Sequence, residues 1–371
     1  MVVVGAGIVG AACAFACARA GLSVTLVDQG GIAGGATAAG MGHIVVMDDS
    51  EAQFELTRFS QLLWDELAPQ LPAKAEFDRP GTIWVASNEE EMATVRARHE
   101  YYLKRGVESE VLDARALSEA EPRLRDGLAG GLLVGGDSVI YPPCVVQFLV
   151  ERVLQQGGEV HFGSAVTSLD SGSVALRDGS RLPAGSVVLA TGHEVRRLAP
   201  SLPLRPRKGH LLITDRHPGF VRHQLIELDY VKSAHGSEQD SVAFNIQPRR
   251  TGQMLLGSSR QFDVEDSAVD RRLVARLVER LTAFLPAISG LSATRIWTGQ
   301  RAVTPDRLPL IGPLAGKDGV IVAAGHEGLG TTTSLGTAQL VLALITQRPP
   351  GLKIEPYLPS RFKEVGDAWR N

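Results

Sequence analysis

Residues 1–28 have the sequence MVVVGAGIVGAACAFACARAGLSVTLVD, in which a run of valines precedes three glycines. Val2 to Val4 predict a short buried strand, because β-branched apolar residues are typical of strands in parallel sheets. Residues 8–20 are small and apolar over the length of a helix, and residues 22–27 predict a second strand. The stretch therefore predicts a strand–turn–helix–strand unit with GAGIVG at its first turn.

The three glycines suit a turn that binds a dinucleotide. Gly5 permits the tight turn, Gly7 lets the backbone approach a pyrophosphate, and Gly10 lets the helix lie close to the strand. Asp28 follows the second strand, where its carboxylate can accept the hydroxyls of an adenosine ribose. A glycine-rich turn in a different α/β fold remains the alternative. We expect this part of the nucleotide site to consist of Gly5, Gly7, Ile8, Val9, Gly10, Asp28 and Gln29.

The composition is that of an ordinary globular protein. The chain has 371 residues, enough for two lobes, and its formal net charge of −3 gives no reason to expect nucleic acid. No apolar stretch approaches the roughly 18 residues that a membrane span needs. The three cysteines, Cys13, Cys17 and Cys144, are few enough to suit a reducing cytoplasm. We predict a cytoplasmic protein with no metal site, and we interpret Cys13 and Cys17 as buried apolar residues.

The rest of the chain predicts two kinds of structure. Residues 29–45 are rich in glycine, alanine and threonine, and predict an extended loop that approaches a ligand. Residues 159–166 predict one strand. Several strand-like runs between residues 204 and 257 indicate a separate antiparallel sheet. Helices are predicted at residues 51–67, 89–104, 115–121, 144–156 and 270–285, and at the C-terminal side of the glycine-rich segment AAGHEGLG.

Three further segments favour FAD over NAD as the dinucleotide. They are the loop GGATAAGMGH, the strand end ATG at residues 190–192, and the glycine-rich turn before the last helix. The N-terminus of that last helix can stabilise the negative charge of a reduced flavin, which an NAD enzyme does not need. The additional residues that we expect at the FAD site are Ala36, Thr37, Ala38, Ala39, Gly40, Met41, Val166, Ala190, Thr191, Gly192, Gly325, Gly328, Leu329, Gly330, Thr331 and Thr332.

These motifs, together with GQRAVTPDRLPLIG, resemble in order and spacing the D-amino-acid oxidase (DAO) superfamily of FAD-dependent oxidoreductases, and within it the glycine oxidase-like branch. The resemblance implies an α/β fold in which a GR2-type, Rossmann-like FAD/NAD(P)-binding domain is interleaved with an α+β substrate domain built on an antiparallel sheet. It also implies noncovalent FAD. We place the FAD-binding domain at residues 1–75, 140–200 and 300–371, and the substrate-binding domain at 76–139 and 201–299.

A narrower resemblance lies in the phrases FNIQPRRTGQMLLGSSRQF and GHEGLGTTTSLG. They are similar to the catalytic flavoproteins of bacterial D-hydroxyproline dehydrogenase (its beta subunit), hydrogen cyanide synthase and opine oxidase. The resemblance implies a hetero-oligomer with another dinucleotide-fold flavoprotein and a small iron–sulfur subunit. Additional FMN or an iron–sulfur centre would then lie in or at the partner subunits, and the assembly can be peripheral to the inner membrane.

The resemblance also suggests catalytic residues. Arg301 lies where the family grips the substrate carboxylate, a task that suits a bidentate, permanently charged guanidinium. Asn245, which replaces a tyrosine of the glycine oxidase-like motif, and Gln247 alternate on one strand and so share a face. His326 and Glu327 lie in the last glycine-rich turn. The alternatives are a surface ion pair for Arg301, a solvated face for Asn245 and Gln247, and a solvated carboxylate for Glu327.

The predicted reaction is oxidation of the C–N bond of a small cyclic or secondary amino acid, with D-hydroxyproline or a proline-like molecule first. A hydride passes to flavin N5, and the electrons pass on to partner subunits. Glycine oxidase has an arginine where this chain has Gly328, and its absence leaves room for a ring. Two alternatives stay open: a stand-alone glycine or D-amino-acid oxidase that produces hydrogen peroxide, and a non-catalytic flavin relay, against which Arg301 argues.

Overall fold

The computed structural model describes residues 1–228 and 240–362. Its helices are α1 (Ile8–Arg19), α2 (Ala36–Ala39), α3 (Glu51–Leu67), α4 (Glu89–Leu103), α5 (Ala114–Ala120), α6 (Pro142–Gln155), α7 (Val195–Leu198), α8 (Arg271–Phe284) and α9 (Gly330–Thr346). Its strands are β1 (Val2–Val4), β2 (Thr25–Val27), β3 (His43–Ile44), β4 (Thr82–Ala86), β5 (Glu110–Asp113), β6 (Gly130–Val134), β7 (Ser138–Val139), β8 (Glu159–His161), β9 (Val166–Asp170), β10 (Ser173–Leu176), β11 (Arg181–Pro183), β12 (Val187–Leu189), β13 (Arg205–Thr214), β14 (Gln224–Glu227), β15 (Ser241–Pro248), β16 (Met254–Phe262), β17 (Ala293–Val303), β18 (Leu310–Pro313) and β19 (Val320–Ala324).

The chain divides into two compact units that alternate along the sequence. The first unit contains Met1–Ala75, Tyr141–Pro206 and the described residues from Gln300 onward. The second contains the described residues of Glu76–Ile140 and Arg207–Gly299. The assignment of the first unit to FAD and of the second to substrate stays a prediction.

A mostly parallel sheet forms the centre of the first unit. Within the described residues its six strands have the order β18-β19-β12-β1-β2-β8, and β18 is the antiparallel edge. The strand β1 pairs in parallel with β12 and β2, through Val2 with Val187 and Val2 with Thr25. Helix α1 packs against α6 and α9, and its residues from Ile8 to Ala18 are almost all buried. A helix that is small and apolar all round is typical of such a central position.

A large mixed sheet forms the second unit. In the described part of the chain its strands have the order β17-β13-β16-β15-β14-β4-β6-β5. From β13 to β5 the neighbouring strands are antiparallel, except β14 with β4, which are parallel. Helix α8 packs against β15 and β16, and Leu277 and Leu281 join Phe244 and Ile246 of β15 in one apolar core. The predicted fold class, a Rossmann-like domain with a second domain built on a largely antiparallel sheet, is confirmed.

Two local predictions need correction. The predicted strand 159–166 is two strands in different sheets, because Gly163 adopts a φ of +69° and its N–H bonds to the Gly30 carbonyl, which turns the chain out of the parallel sheet. Residues 29–45 are not wholly extended, since Ala36–Ala39 form the single-turn helix α2. Among the described helices, none is long and apolar enough to cross a membrane.

Candidate functional site

The first glycine turn, Gly5–Gly10, is packed so closely that it has no room for side chains at two of its positions. Gly5 has a φ of +108°, and a Cβ built on it would lie 2.5 Å from the Ala190 carbonyl oxygen. A Cβ on Gly10 would lie 1.8 Å from the Gly5 carbonyl oxygen. Both positions therefore require glycine, which holds α1 close to the ends of β1 and β12.

The N-terminus of α1 is prepared for an anion. Gly7 caps the helix with no side chain, so the capping residue itself shields none of the first N–H groups. The Ile8 N–H donates to the Thr37 hydroxyl oxygen at 3.0 Å, which anchors α2 beside the helix end. Unpaired N–H groups and the helix dipole together attract phosphate. The structure thus brings Thr37 to the first glycine turn, although it lies 27 positions after Gly10 in the chain.

Asp28 is held by the backbone on both sides. Its Oδ2 accepts from the Ala6 N–H at 2.7 Å and its Oδ1 from the Gly30 N–H at 2.8 Å. Each carboxylate oxygen can accept more than one hydrogen bond, so lone pairs remain for ribose hydroxyls. The neighbouring Gln29 is exposed. The two backbone bonds fix the carboxylate orientation at the end of β2.

The other predicted nucleotide residues of this unit lie in and after α2 and at two strand ends. Ala36 and Ala38 are exposed, whereas Met41 is buried. The Thr191 hydroxyl, directly after β12, is buried and has no hydrogen-bond partner among the described residues. Val166, at the start of β9, packs against the apolar core of this unit. A buried hydroxyl without a protein partner is expected where a polar ligand binds.

The last glycine turn, Gly325–Gly330, begins at the end of β19. Gly325 has a φ of +80°, and a Cβ built on it would lie 2.8 Å from Thr304 Cγ2. Glu327 has a φ of +51°, and its N–H donates to the Ala302 carbonyl at 3.0 Å. Gly328 is exposed, with only one atom within 4 Å of its built Cβ position. The turn is therefore fixed at its start and open at its centre.

The two glycine turns lie side by side. A Cβ built on Gly330 would lie 4.0 Å from Val9 Cγ2, and α1 packs against α9 along its length. Helix α9 has no capping side chain at Leu329, and its second residue, Thr331, is partly exposed. Two helix N-termini thus offer N–H groups within one unit, which suits a ligand with a negative charge at each.

Helix α9 is anchored to neighbouring elements by hydrogen bonds at its first turn. Trp64 Nε1 on α3 donates to the Thr331 and Thr332 carbonyls at 3.2 and 3.1 Å. The Thr332 hydroxyl donates to the His43 carbonyl at 2.9 Å. Thr332 therefore holds the loop with its side chain rather than offering that hydroxyl to a ligand. Trp64 was not expected at this site, since its helical pattern indicates only a core position.

His326 is buried within the last glycine turn. Its Nε2 lies 3.0 Å from the Thr337 hydroxyl of α9. Burial lowers the pKa of His326 from 6.5 to about 4, so the imidazole is neutral at pH 7. This geometry favours a role in positioning the turn, and a direct role in catalysis stays a prediction.

Arg301 lies near the end of β17 beside the last glycine turn. The Cβ position of Gly328 is 3.9 Å from Arg301 Nε, and Gly328 itself is exposed. Arg301 is partly buried, and Glu327 is tied to the next residue, Ala302, through its backbone. The structure thus brings together Arg301, Glu327 and Gly328, three residues that the sequence analysis singled out.

Asn245 and Gln247 belong to β15 in the second unit. They are 3% and 1% exposed and lie on the face of the sheet opposite the α8 core, because Phe244 and Ile246 point into that core. The Asn245 Oδ1 atom has no hydrogen-bond partner in the described part of the chain. The alternative of a solvated face is therefore wrong for both residues. Their contact with substrate stays a prediction.

The residues of the first unit fit FAD. A glycine cradle that a Cβ would fill, two helix N-termini whose N-cap residues make no side-chain hydrogen bond, a fixed Asp28 carboxylate and the unpartnered Thr191 hydroxyl match the parts of a dinucleotide. Cys13 and Cys17 are buried, and burial raises the pKa of each thiol, which agrees with an apolar packing role.

Comparison with known proteins supports these interpretations. A family model described as "DAO: FAD dependent oxidoreductase" matches residues 1–344. The chain is 26% identical to the HcnC protein of hydrogen cyanide synthase from Pseudomonas aeruginosa, with 98% of this chain and 96% of that protein covered. It is also 26% identical to glycine oxidase of Geobacillus kaustophilus, with 97% and 96% covered. The crystal structure of L-proline dehydrogenase from P. horikoshii has the same fold, with a TM-score of 0.88, 23% identity and coverage of 98% and 97%.

Proposed function

Because the chain belongs to the DAO family of FAD dependent oxidoreductases, we propose that it oxidises the C–N bond of a small cyclic or secondary amino acid. D-Hydroxyproline and proline-like amino acids are the first candidates. The relative named glycine oxidase supports an amino-acid substrate. The assignment of the first unit to FAD and of the second to substrate is part of this proposal.

The observation that carries the proposal is the placement of Arg301. It lies beside the N-terminus of α9, next to the exposed Gly328, whose Cβ position is 3.9 Å from Arg301 Nε. A substrate carboxylate can accept two parallel hydrogen bonds from this group, which orients the α-carbon as well as binding it. The open position at Gly328 leaves room for a ring on the substrate. A protein that only relays electrons has no use for such a clamp.

The proposed reaction has a simple order of events. Arg301 binds the carboxylate, and the amine binds in its neutral form, so no dedicated base is required. Bound FAD would supply the hydride acceptor for oxidation of the C–N bond to an imine, and the nitrogen would lose its remaining proton to solvent. The rate should therefore rise with pH through the pKa of the bound amine.

The electrons are proposed to leave through partner subunits. The relative HcnC is named as a subunit of hydrogen cyanide synthase, which supports a hetero-oligomer. The partners would be a second dinucleotide-fold flavoprotein and a small iron–sulfur subunit, with FMN or the cluster held there. Such an assembly would be cytoplasmic or peripheral to the inner membrane. The second candidate, a stand-alone oxidase, is favoured by the similarity to glycine oxidase.

Anaerobic spectroscopy of the purified holoprotein tests the proposal. We expect the flavin absorbance near 450 nm to bleach with one member of a panel containing D- and L-proline, both 4-hydroxyproline epimers of each, sarcosine and glycine. Air should then restore it slowly for a dehydrogenase and rapidly for an oxidase. A yellow protein that no amino acid reduces would contradict the proposal.

A variant pair ties that activity to the clamp. Arg301→Lys keeps the charge but loses the bidentate geometry, so the reduction rate constant divided by Kd should fall about 100-fold while the flavin spectrum is unchanged. Arg295→Lys, at an exposed position of the same strand β17, is the matched control and should retain activity within about twofold. Equal activity of the two variants would remove Arg301 from the site.

A further inference from the structure

Residues 354–362, here called the C-terminal clip, pack against the first unit. They lie beyond residues 1–344, which the family model matches. Most of the clip consists of two short 3₁₀ helices, Glu355–Tyr357 and Pro359–Phe362. The clip is fixed to α3, because Tyr357 is buried and its hydroxyl donates to the Ala52 carbonyl at 2.6 Å. The segment therefore has a defined position on the first unit.

The Arg361 side chain of the C-terminal clip holds the turn that follows β17. Its Nε and Nη2 donate to the two carboxylate oxygens of Asp306 at 2.7 and 3.0 Å, and Nη2 also donates to the Leu308 carbonyl at 2.7 Å. Its Nη1 donates within the clip, to the Leu358 carbonyl at 3.1 Å. Such a fork fixes direction as well as distance, which a lysine ammonium does not. One side chain thus joins the clip to the turn.

The turn between β17 and β18 transmits this contact to the last glycine turn. Asp306 also accepts from the Leu308 N–H at 3.1 Å, and the Thr304 hydroxyl donates to the Leu308 carbonyl at 2.8 Å. Thr304 is buried, and its Cγ2 atom lies 2.8 Å from the Cβ position built on Gly325. The clip, this turn and the start of the last glycine turn therefore form one continuous set of contacts within the first unit.

The C-terminal clip also packs closely against β18. A Cβ built on Gly312 would lie 2.7 Å from Leu358 Cδ2 and 2.9 Å from Pro359 Cδ, so a side chain at this position would push the clip away. The strand β18 is the antiparallel partner of β19, and the last glycine turn begins at the end of β19. The clip thus contacts both the turn that follows the strand of Arg301 and the strand beside the last glycine turn.

The ion pair between Arg361 and Asp306 is better suited to fixing a position than to adding stability. Their side chains are 14% and 36% exposed, and partly exposed ion pairs contribute little to the free energy of unfolding. Position has a larger effect, because a displacement of about 1 Å at a reacting group can lower a rate about 100-fold. Arg301 precedes Asp306 by only five positions in the chain.

We propose that Arg361, through Asp306, is a positioning residue that holds the Arg301 guanidinium in the orientation that binds the substrate carboxylate. The inference rests on the proposed function, since it concerns the carboxylate clamp of that activity. Arg361 and Asp306 do not touch the substrate and act through the backbone of the turn between β17 and β18. Loss of the fork lets this turn shift, so Arg301 holds a carboxylate less tightly and in poorer alignment.

The test measures carboxylate binding and flavin reduction separately in the holoprotein. The binding probe is pyrrole-2-carboxylate, whose aromatic ring has no hydrogen on the α-carbon to lose as hydride, and its Kd follows from the change in the flavin spectrum. In Arg361→Lys and Asp306→Asn we expect this Kd to rise about tenfold and the limiting rate constant of reduction by the reactive amino acid to fall about tenfold. FAD content should stay unchanged, and Tm should fall by less than about 4 °C.

Arg181→Lys is the matched control. Arg181 also forms an ion pair with an aspartate of the first unit, Asp170, in the small sheet of β9, β10 and β11. This variant should change Tm as little as Arg361→Lys does, and it should leave both the Kd for pyrrole-2-carboxylate and the reduction rate constant unchanged. A purely structural role of Arg361 would act on Tm and leave the Kd of the folded holoprotein as it is.

The double variant Arg301→Lys/Arg361→Lys shows whether Arg361 acts through Arg301. In the Arg301→Lys background there is no guanidinium left to orient, so Arg361→Lys should then change the Kd by less than about twofold. An effect of equal size in both backgrounds would show that Arg361 acts on another part of the protein, and it would overturn the proposal.

The outcomes separate this inference from the proposed function. A wild type that an amino acid reduces, with weaker carboxylate binding in Arg361→Lys and Asp306→Asn but not in Arg181→Lys, supports both. Unchanged Kd and rate in folded Arg361→Lys overturn only the positioning role, and Asp306→Asn decides if that variant does not fold. A wild type that binds the probe without being reduced by any amino acid contradicts the proposed function, while the Kd of the variants still tests the clip. A wild type that neither binds the probe nor is reduced overturns both.

Discussion

The two glycine turns of the first unit use glycine for different reasons. In the first glycine turn, backbone oxygens occupy the places where Cβ atoms of Gly5 and Gly10 would lie, at 2.5 and 1.8 Å. In the last glycine turn, Gly325 is similarly enclosed, but the Cβ position of Gly328 has only Arg301 Nε at 3.9 Å. The backbone packing of the first glycine turn therefore leaves no space for a side chain at Gly5 or Gly10. The last glycine turn has open space at the Cβ position of Gly328, and a substrate would need such space to enter.

The strongest test of this contrast is Gly10→Ala. The added Cβ would overlap the Gly5 carbonyl oxygen, and both atoms belong to backbone, so α1 must move away from β1. We expect a loss of about 3 kcal/mol or more in the free energy of unfolding, and failure to retain FAD. The flavin-to-protein absorbance ratio and the thermal unfolding midpoint measure both effects.

Gly31→Ala provides the control for this substitution. Gly31 lies in the same region of the chain, and nothing is within 4 Å of its built Cβ. It should keep both stability and FAD. If Gly10→Ala retained FAD as well as Gly31→Ala does, the close packing of the first glycine turn would not be required for binding.

A second test concerns the buried imidazole in the last glycine turn. The pKa of His326 is lowered to about 4 in the folded protein, whereas an unfolded histidine titrates near 6.5. Between these values the unfolded chain binds more protons, so stability is lost as pH falls from 6.5 towards 4. The loss amounts to roughly 3 kcal/mol, at 1.36 kcal/mol for each pH unit of difference.

The variant His326→Gln isolates this contribution. A glutamine amide can keep a hydrogen bond to Thr337 and does not titrate. Urea unfolding at pH 7.5, 6, 5 and 4.5 should show a shallower decline of stability in the variant than in the wild type. Parallel declines would mean that other groups cause the acid sensitivity.

A third test probes the carboxylate beside the first glycine turn. Asp28→Asn leaves one acceptor oxygen for the two backbone donors, Ala6 and Gly30, and removes the charge that strengthens bonds to ribose hydroxyls. The Kd for FAD should rise about tenfold, which is about 1.4 kcal/mol. Titration of the apoprotein with FAD, followed by flavin fluorescence, measures it. Asp178→Asn is the control, since Asp178 accepts from the Ser180 backbone in an exposed hairpin turn, and it should not change the affinity.

The contrast between the turns also explains which predictions the sequence could support. The segment from β1 to β2 could be predicted because its residues are adjacent in the chain. The same holds for α3, whose predicted range 51–67 matches the structure, with Ser50 as its N-cap. The break within residues 159–166 depends on the Gly163 N–H bonding to Gly30, more than 100 positions earlier. The local sequence pattern around Gly163 could not predict that hydrogen bond.

The same limit applies to the candidate site. Arg301, Asn245 and the glycine turns belong to recognisable motifs, so the sequence analysis named them. Trp64 was missed because its place at the site depends on residues far away in the chain, the Thr331 and Thr332 carbonyls that accept from its Nε1. Its helical pattern indicates only a core position, and only the folded chain shows that it anchors the first turn of α9.

The smallest expected effect, and the one that completes the contrast, is that of Gly328→Ala. Gly328 does not have a positive φ, and its built Cβ would make an ordinary contact with Arg301 Nε at 3.9 Å. We therefore expect the free energy of unfolding to change by less than about 0.5 kcal/mol, with FAD fully retained. Gly325→Ala is the opposite case, because its φ of +80° and a contact of 2.8 Å with Thr304 Cγ2 predict a clear loss of stability. In thermal unfolding, we expect the loss of stability to be largest for Gly10→Ala, smaller for Gly325→Ala and smallest for Gly328→Ala. A Gly328→Ala variant as unstable as Gly325→Ala would show that the centre of the last glycine turn is closed, and that Arg301 is not accessible there.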